Sequence, residues 1–79
     1  MQSKIALYPN PVSQTLNIEY KSYDKIEQIR LFDTFGKLVI EIKELASKVD
    51  VSNLPEGLYY LVVQSKGETQ TLRIVKNEN

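Results

Sequence analysis

The residues that could do chemistry in this chain are carboxylates, because its 79 residues include no histidine and no cysteine. The commonest general base and the thiol nucleophile are therefore missing. A pair of carboxylates could still perform acid–base catalysis. The glutamates that could serve are scattered over strand-like segments and turns: Glu19, Glu27, Glu41, Glu44, Glu56 and Glu68. We interpret them as solvated surface charges and predict a protein that is not an enzyme and needs no cofactor.

Calcium, which binds oxygen ligands, is a second possibility. Calcium loops gather several acidic side chains within a few residues. Asp24, Asp33 and Asp50 are instead far apart in the sequence. Asp33 is better explained as the first residue of a turn, where its side chain accepts hydrogen bonds from nearby backbone. We therefore predict no metal site.

Aromatic side chains offer two possible binding surfaces. Tyr8, Tyr20, Tyr23, Tyr59 and Tyr60 could form a platform for sugars. Alternatively, Tyr20 and Tyr59 belong to the core and Tyr60 lies under a second layer, because aromatic residues are enriched in strands.

Phe32 and Phe35 leave a similar choice open. Phe32 has the opposite strand parity to Ile29 and Leu31. Phe32 and Phe35 together would form an exposed apolar contact patch, or Phe32 would pack under a turn.

The composition favours one small globular domain. Hydrophobic residues make up 42% of the chain and charged residues 25%, as in ordinary soluble domains. Ten acidic and ten basic residues cancel to a formal charge of zero, which argues against a nucleic-acid partner. We expect residues 1–79 to be a single domain, a piece of a longer protein.

Apolar and polar residues alternate along most of the chain, the pattern of half-buried strands. The segment Leu58–Val63 is apolar at every position. It predicts a central strand covered on both faces, with Tyr59, Leu61 and Val63 pointing into the core. We predict seven strands, near residues 5–8, 15–20, 26–33, 38–42, 48–52, 58–65 and 69–76.

Turn residues separate these strands. Asp33 to Gly36 and Leu54 to Gly57 each end on glycine and suit type I turns. Lys66 and Gly67 suit a tight hairpin loop.

Short alternating strands joined by regular turns predict an all-β fold, a seven-stranded immunoglobulin-like β-sandwich of two mainly antiparallel sheets. A partly closed barrel is the alternative. We expect a monomer whose first or last strand is an edge that can pair with a partner strand.

The segment Tyr8-Pro9-Asn10-Pro11 is a stiff extended lead-in to this fold. Each proline fixes its own φ near −65° and has no N–H to donate. Each also drives the preceding residue towards extended geometry. Neither helix nor central strand can form here.

Four motifs taken in order make a more specific pattern. They are Tyr8 to Pro11, Leu31 to Val39, Val49 to Tyr60 and Arg73 to Lys76. Over nearly its whole length the chain resembles the type A C-terminal sorting domain of type IX secretion cargo. The resemblance implies a secretion signal at the end of a larger protein of a Gram-negative bacterium, which passes through the periplasm to the cell surface or medium.

The resemblance also implies partners. The outer-membrane translocation machinery recognises the folded tail, a β-barrel shuttle protein binds it, and a sortase-like cysteine protease cuts upstream of it. No nucleic acid and no small-molecule substrate are implied. The alternative function is a carbohydrate-binding or adhesive module of a secreted protein.

Carried onto this chain, the resemblance implies a signal made of two segments. The signal residues are Gly36, Lys37, Leu38, Val39, Ile74, Val75 and Lys76. In this interpretation Lys37 and Lys76 offer charges for docking. The structural residues are Pro9, Asn10, Pro11, Asp33, Gly57 and Tyr59. Asn77 to Asn79 follow Lys76, whereas members of the family often stop near that lysine.

Overall fold

Strands arranged in two antiparallel sheets make up the fold. The computed structural model describes residues 5–20, 26–43, 46–65 and 67–78. Over these ranges the strands are β1 (Ile5–Tyr8), β2 (Thr15–Tyr20), β3 (Ile26–Asp33), β4 (Leu38–Ile42), β5 (Lys48–Asp50), β6 (Gly57–Ser65) and β7 (Glu68–Lys76). One sheet has the order β1-β2-β5 and the other the order β4-β3-β6-β7. The predicted seven-stranded immunoglobulin-like sandwich is confirmed.

The core lies between the sheets and is built from one side of each strand, as strand alternation requires. The three-stranded sheet contributes Ile5, Leu16, Ile18 and Val49, and the four-stranded sheet contributes Ile29, Leu31, Tyr59, Leu61, Val63 and Ile74. Each of these side chains is at most 5% exposed. The predicted inward direction of Tyr59, Leu61 and Val63 is confirmed.

The other face of β6 does not have the covering layer that its apolar sequence predicts. Tyr60 is 37% exposed, and Leu58 and Val62 are half-buried. The prediction of a strand covered on both faces is wrong, because a two-layer sandwich has an interior on only one side of each sheet. The outer face of β6 is therefore an apolar surface.

An irregular register in β4 changes which of its residues face outward. Leu31 pairs with Ile40, but Phe32 pairs with Leu38, so Val39 is an extra residue at a β-bulge. Leu38 is 41% exposed, whereas Val39 and Ile40 pack against the core. The period-two alternation from which this strand was predicted therefore fails at Leu38.

The turn between β3 and β4 is held by Asp33. Its Oδ1 accepts hydrogen bonds from the backbone N–H groups of Phe35 and Lys37, both at 2.9 Å. The N–H of Gly36 donates to the Asp33 carbonyl at 3.1 Å. Gly36 has a φ of +82°, a conformation that glycine adopts without steric cost. The predicted turn is present.

The turn after β5 differs from the prediction. The N–H of Leu54 donates to the Val51 carbonyl at 3.0 Å, so the hydrogen-bonded turn spans residues 51–54 rather than 54–57. This turn ends β5 at Asp50, two residues earlier than predicted. The Pro55 carbonyl accepts a hydrogen bond from the Tyr59 hydroxyl at 2.7 Å.

Residues 10–12, called the clasp from here on, lie along the C-terminal half of β7. The Asn10 side chain accepts from the N–H of Val75 at 3.0 Å and donates to the Arg73 carbonyl at 3.2 Å. The N–H of Val12 donates to the Val75 carbonyl at 2.8 Å, and the N–H of Asn77 donates to the Val12 carbonyl at 2.7 Å. The clasp therefore supplies the partners that a neighbouring strand would supply.

The residue types of the clasp suit this position. An asparagine amide has both a donor and an acceptor, so it can replace a peptide group at a strand edge. Pro9 and Pro11 on either side of Asn10 have no N–H that would need a partner. Val12 is 0% exposed and anchors the clasp in the core. Its bridge to Lys76 is parallel.

The hydroxyls of Tyr20 and Tyr59 predict a loss of stability in alkali. They donate to the Ala46 and Pro55 carbonyls at 2.6 and 2.7 Å. Burial raises the pKa of both phenols above 10.0, and the Asp33 charge adds to the rise at Tyr59. The stability that the two protonated phenols contribute is fully present below about pH 10. It is lost as the pH rises through their folded pKa values, because the unfolded chain releases these protons first.

Urea denaturation from about pH 8 to pH 11 should show this decline. The Tyr20→Phe and Tyr59→Phe changes should each make it shallower. Tyr8→Phe is the matched control, because Tyr8 is 50% exposed. An equally steep decline in the double phenylalanine variant would contradict the assignment.

The clasp predicts a specific effect of the Asn10→Ala change. The two side-chain hydrogen bonds to β7 are lost, so the free energy of unfolding should fall by about 1–3 kcal/mol. Hydrogen exchange at the Val75 amide should accelerate, because its acceptor is removed. Asn77→Ala is the control, since Asn77 joins the clasp through its backbone N–H. Val75 exchange that is unaltered in Asn10→Ala would refute the clasp.

Candidate docking surface

The structure brings parts of both predicted signal segments to one face of the four-stranded sheet. Gly36 to Val39 lead into β4, and Ile74 to Lys76 end β7, so the segments lie at opposite edges of this sheet. Three strand spacings, about 14 Å, separate the edges. A single row of paired residues crosses the sheet between them: Leu38, Phe32, Tyr60 and Arg73.

Apolar side chains dominate this end of the outer face. Leu38, Tyr60 and Val75 are 41%, 37% and 38% exposed, and Phe35 at the adjoining hairpin tip is 94% exposed. Phe32 and Leu58 are half-buried beside them. These six residues are called the outer patch: Phe32, Phe35, Leu38, Leu58, Tyr60 and Val75. Phe35 is exposed as that patch requires, whereas Phe32 is half-buried, so a joint contact patch of the two stays a prediction.

The outer patch has an apolar area typical of the largest apolar patch on a monomer. From the exposed fractions, and with large side chains presenting roughly 150–250 Å² each, its apolar area is on the order of 400 Å². Contiguous apolar patches of this area on a monomer are often functional.

Two exposed cations adjoin residues of the outer patch, Lys37 next to Leu38 in sequence and Arg73 opposite Tyr60 in the sheet. Lys37 and Arg73 are exposed, and within the described ranges neither forms an ion pair with a carboxylate. In the next row of the sheet, the positive charge of Arg30 is balanced by the carboxylate of Glu41, at 3.4 Å. The Oδ1 of Asp33 accepts from the turn backbone. Arg73 therefore lies at one end of the exposed row, beside Tyr60, whereas the backbone of Lys37 pairs with Asp33 across the turn.

Two predicted signal residues are buried. Ile74 is 1% exposed and Lys76 2%, and the Lys76 ammonium donates to the Asn77 carbonyl at 2.8 Å. The expectation that Lys76 offers a charge for docking is wrong. Lys76 shares the inward parity of Ile74, whereas Arg73 and Val75 face outward, and this alternation was already a signal in the sequence.

The signal residues thus divide by position. Gly36, Lys37, Leu38 and Val75 reach the surface, and Val39 packs against the core. Tyr60 and Arg73, which were not predicted as signal residues, complete the row between them. Because both faces of β6 carry apolar residues, the sequence pattern predicted a covered outer face and did not mark Tyr60 as exposed.

The backbone of β7 is closed to a partner strand at its C-terminal end. The N–H of Val75 donates to Asn10 and its carbonyl accepts from Val12. The expectation that the last strand pairs with a partner strand is wrong for this half of β7. By strand alternation, the backbone groups of Thr69 and Thr71 point to the same edge beyond the clasp.

The described tyrosines do not share a sugar-binding platform. Tyr59 is buried and Tyr20 packs against the core. Tyr8 and Tyr60 are exposed on opposite sheets, β1 and β6. The prediction that Tyr60 lies under a second layer is wrong. Tyr23 lies outside the described residues.

The carboxylate of Asp50 accepts hydrogen bonds from a residue two positions away. Asp50 accepts hydrogen bonds from the Ser52 hydroxyl at 2.6 Å and the Ser52 N–H at 2.9 Å, which hold the pKa of its carboxyl below the usual value. Among the described residues, no three His, Cys, Asp or Glu side chains are grouped so that they could hold a metal ion. Asp24 lies outside those residues.

None of the described segments is a helix long and apolar enough to cross a membrane.

Known proteins resemble this chain in sequence and in fold. Beta-agarase D from Zobellia galactanivorans is 32% identical over 76 residues, which are 95% of this chain and 15% of that protein. PorZ, a surface component of the type-IX secretion system of Porphyromonas gingivalis, has a solved structure that matches with a TM-score of 0.72 at 16% identity. The match covers 92% of this chain and 11% of PorZ and shows the fold.

The family assignment comes from a match over nearly the whole chain. The family described as "Secretion system C-terminal sorting domain" matches residues 6–77, which include the clasp, the Asp33 turn and all of β7. The chain spans only a small part of either similar protein. It belongs to the C-terminal sorting domains of the type IX secretion system.

Proposed function

We propose that this domain is a non-catalytic secretion signal that directs a larger cargo protein across the outer membrane. The family match from residue 6 to residue 77 carries the proposal. The outer-membrane translocation machinery and a β-barrel shuttle protein are the partners. A sortase-like cysteine protease then removes the tail at a site upstream of β1, and the cargo remains at the cell surface or enters the medium.

The arrangement of the surface supports this function. The exposed side chains of the outer patch are apolar, and Arg73 lies beside Tyr60; such groups suit docking better than acid–base chemistry. Leu38 and Val75 would contact the partner directly, and Lys37 would offer its charge. Val39, Ile74 and Lys76 would hold the docking face in shape from beneath, since they are buried or packed against the core.

The cargo is a separate part of the same polypeptide in this proposal. The relative Beta-agarase D is several times longer than this chain, which covers 15% of it. Residues 1–79 would likewise be the export signal of a larger secreted protein. The activity of that protein would be unrelated to the fold of its sorting domain.

A reporter fusion tests the proposed function. A reporter placed between a signal peptide and residues 1–79 should reach the surface or medium of a bacterium that carries the type IX system. The same fusion should stay in the periplasm of a strain without the translocation machinery. Cell fractionation and an assay of the reporter measure both results.

The matched control is the same reporter without residues 1–79, which should stay in the periplasm of both strains. Equal amounts of reporter in the medium with and without residues 1–79 would contradict the function. Deleting residues 73–79 is a poor control, because it removes the core residue Ile74 and the partners of the clasp.

A further inference from the structure

We infer that the part of β7 next to the β6–β7 hairpin accepts an extended strand from a separate protein of the export machinery. This inference rests on the proposed function, and it names the backbone edge and the partner chemistry by which the signal is bound. The edge in question, called the open edge from here on, is the outward backbone of residues 69–73.

The bonds of the clasp show which backbone groups of β7 point away from β6. The clasp binds both the N–H and the C=O of Val75, so these two groups do not belong to the β6–β7 ladder. Hydrogen-bonded and non-hydrogen-bonded residues alternate along an antiparallel strand. Thr69, Thr71 and Arg73 therefore direct their own N–H and C=O groups to the same edge as Val75.

The clasp covers only the C-terminal end of this edge. It engages the carbonyl of Arg73 through the Asn10 amide. Among the residues that the structure describes, the N–H of Arg73 and both outward backbone groups of Thr69 and Thr71 have no hydrogen-bond partner. These groups are spread over about 14 Å of strand, and all three residues are exposed.

The other sheet edges have features that discourage a further strand. β1 and β5 are short, with four and three residues, and β4 has a β-bulge at Val39. β7 instead has nine residues in an unbroken register with β6. Residues 69–73 contain no proline, and their two threonines are β-branched residues that suit strand pairing. Among the described strands, the open edge is therefore the longest regular stretch left for a partner.

The chemistry of the open edge selects an extended polypeptide. Donors and acceptors alternate along it, and a strand with its own alternating C=O and N–H groups satisfies them along its length. The added strand would lie beside Thr71 and Arg73. It would thereby extend the outer face that carries Tyr60, which pairs with Arg73.

A second copy of β7 is a poor occupant of the open edge. Two open edges paired antiparallel around Thr71 would join residues 69–73 of each copy, whereas a stable protein interface takes roughly 20–30 residues a side. The two sheets would lie edge to edge, so neither copy could contact the outer face of the other. A separate protein is not restricted by this symmetry and can contact that face as well.

Proline variants of the reporter fusion test the inference. Thr71→Pro removes an outward N–H and places its ring in the path of an added strand, while the hydrogen bonds of β7 to β6 remain. The exported fraction should fall about tenfold, because an edge proline blocks strand addition. Thr69→Pro should act in the same way. Thr71→Val is the matched control, because it keeps the N–H and the branched shape, and it should retain export.

Urea denaturation of the purified domains should give similar midpoints for Thr71→Pro and Thr71→Val, which shows that lost export is not lost folding. Wild-type levels of export from both proline variants would overturn this inference alone. Equal losses in Thr71→Pro and Thr71→Val would also overturn it, because the side chain rather than the backbone would then be read. Failure of the unmodified fusion would overturn the proposed function as well.

A cross-link from the open edge identifies its occupant without a proline. A photoreactive amino acid at position 71 should give, during export, a product with the combined mass of the fusion and a separate protein. Absence of any product would count against the inference. A product of twice the mass of the fusion would assign the edge to a second copy and overturn the separate partner. A stable dimer of the purified domain that is lost in Thr71→Pro, measured by light scattering, would have the same meaning.

Discussion

The hydrogen bonds between the clasp and β7 join parts of the chain that are 65 residues apart in sequence. An open strand edge presents unpaired N–H and C=O groups that invite another strand. The clasp satisfies these groups at Val75 and Arg73 with an asparagine side chain and the backbone of Val12. The clasp therefore leaves side chains, rather than backbone, as the accessible part of that end.

Strand alternation then decides which side chains those are. Ile74 and Lys76 face the core, and Arg73 and Val75 face solvent. The β-bulge at Val39 has a similar effect on the opposite edge, because it turns Leu38 outward while Val39 and Ile40 pack inward. Leu38 at one edge, the exposed face of β6 and Val75 at the other edge together form an apolar surface.

Much of the fold was predictable because its signals are local. Period-two alternation located the strands, with β5 ending at Asp50 as the largest difference, and the Asp33 turn followed from residue types at four neighbouring positions. The errors arose where the answer depends on distant residues. The bulge in β4 is visible only in its pairing with β3, the exposed face of β6 depends on the number of layers, and the contacts of Asn10 depend on the position of β7. The burial of Lys76 was predictable from its parity with Ile74, but its charge suggested the surface.

Cross-linking during export tests most directly the claim that the sorting domain is read through the outer face of its four-stranded sheet. A photoreactive amino acid would replace Tyr60 on that face or, in a separate fusion, Glu19 on the exposed side of β2. Tyr60 lies at the centre of the outer patch, and Glu19 lies on the other sheet. Illumination of exporting cells should give cross-links from position 60 to a protein of the export machinery and little product from position 19. Cross-links from position 19 with none from position 60 would contradict the account.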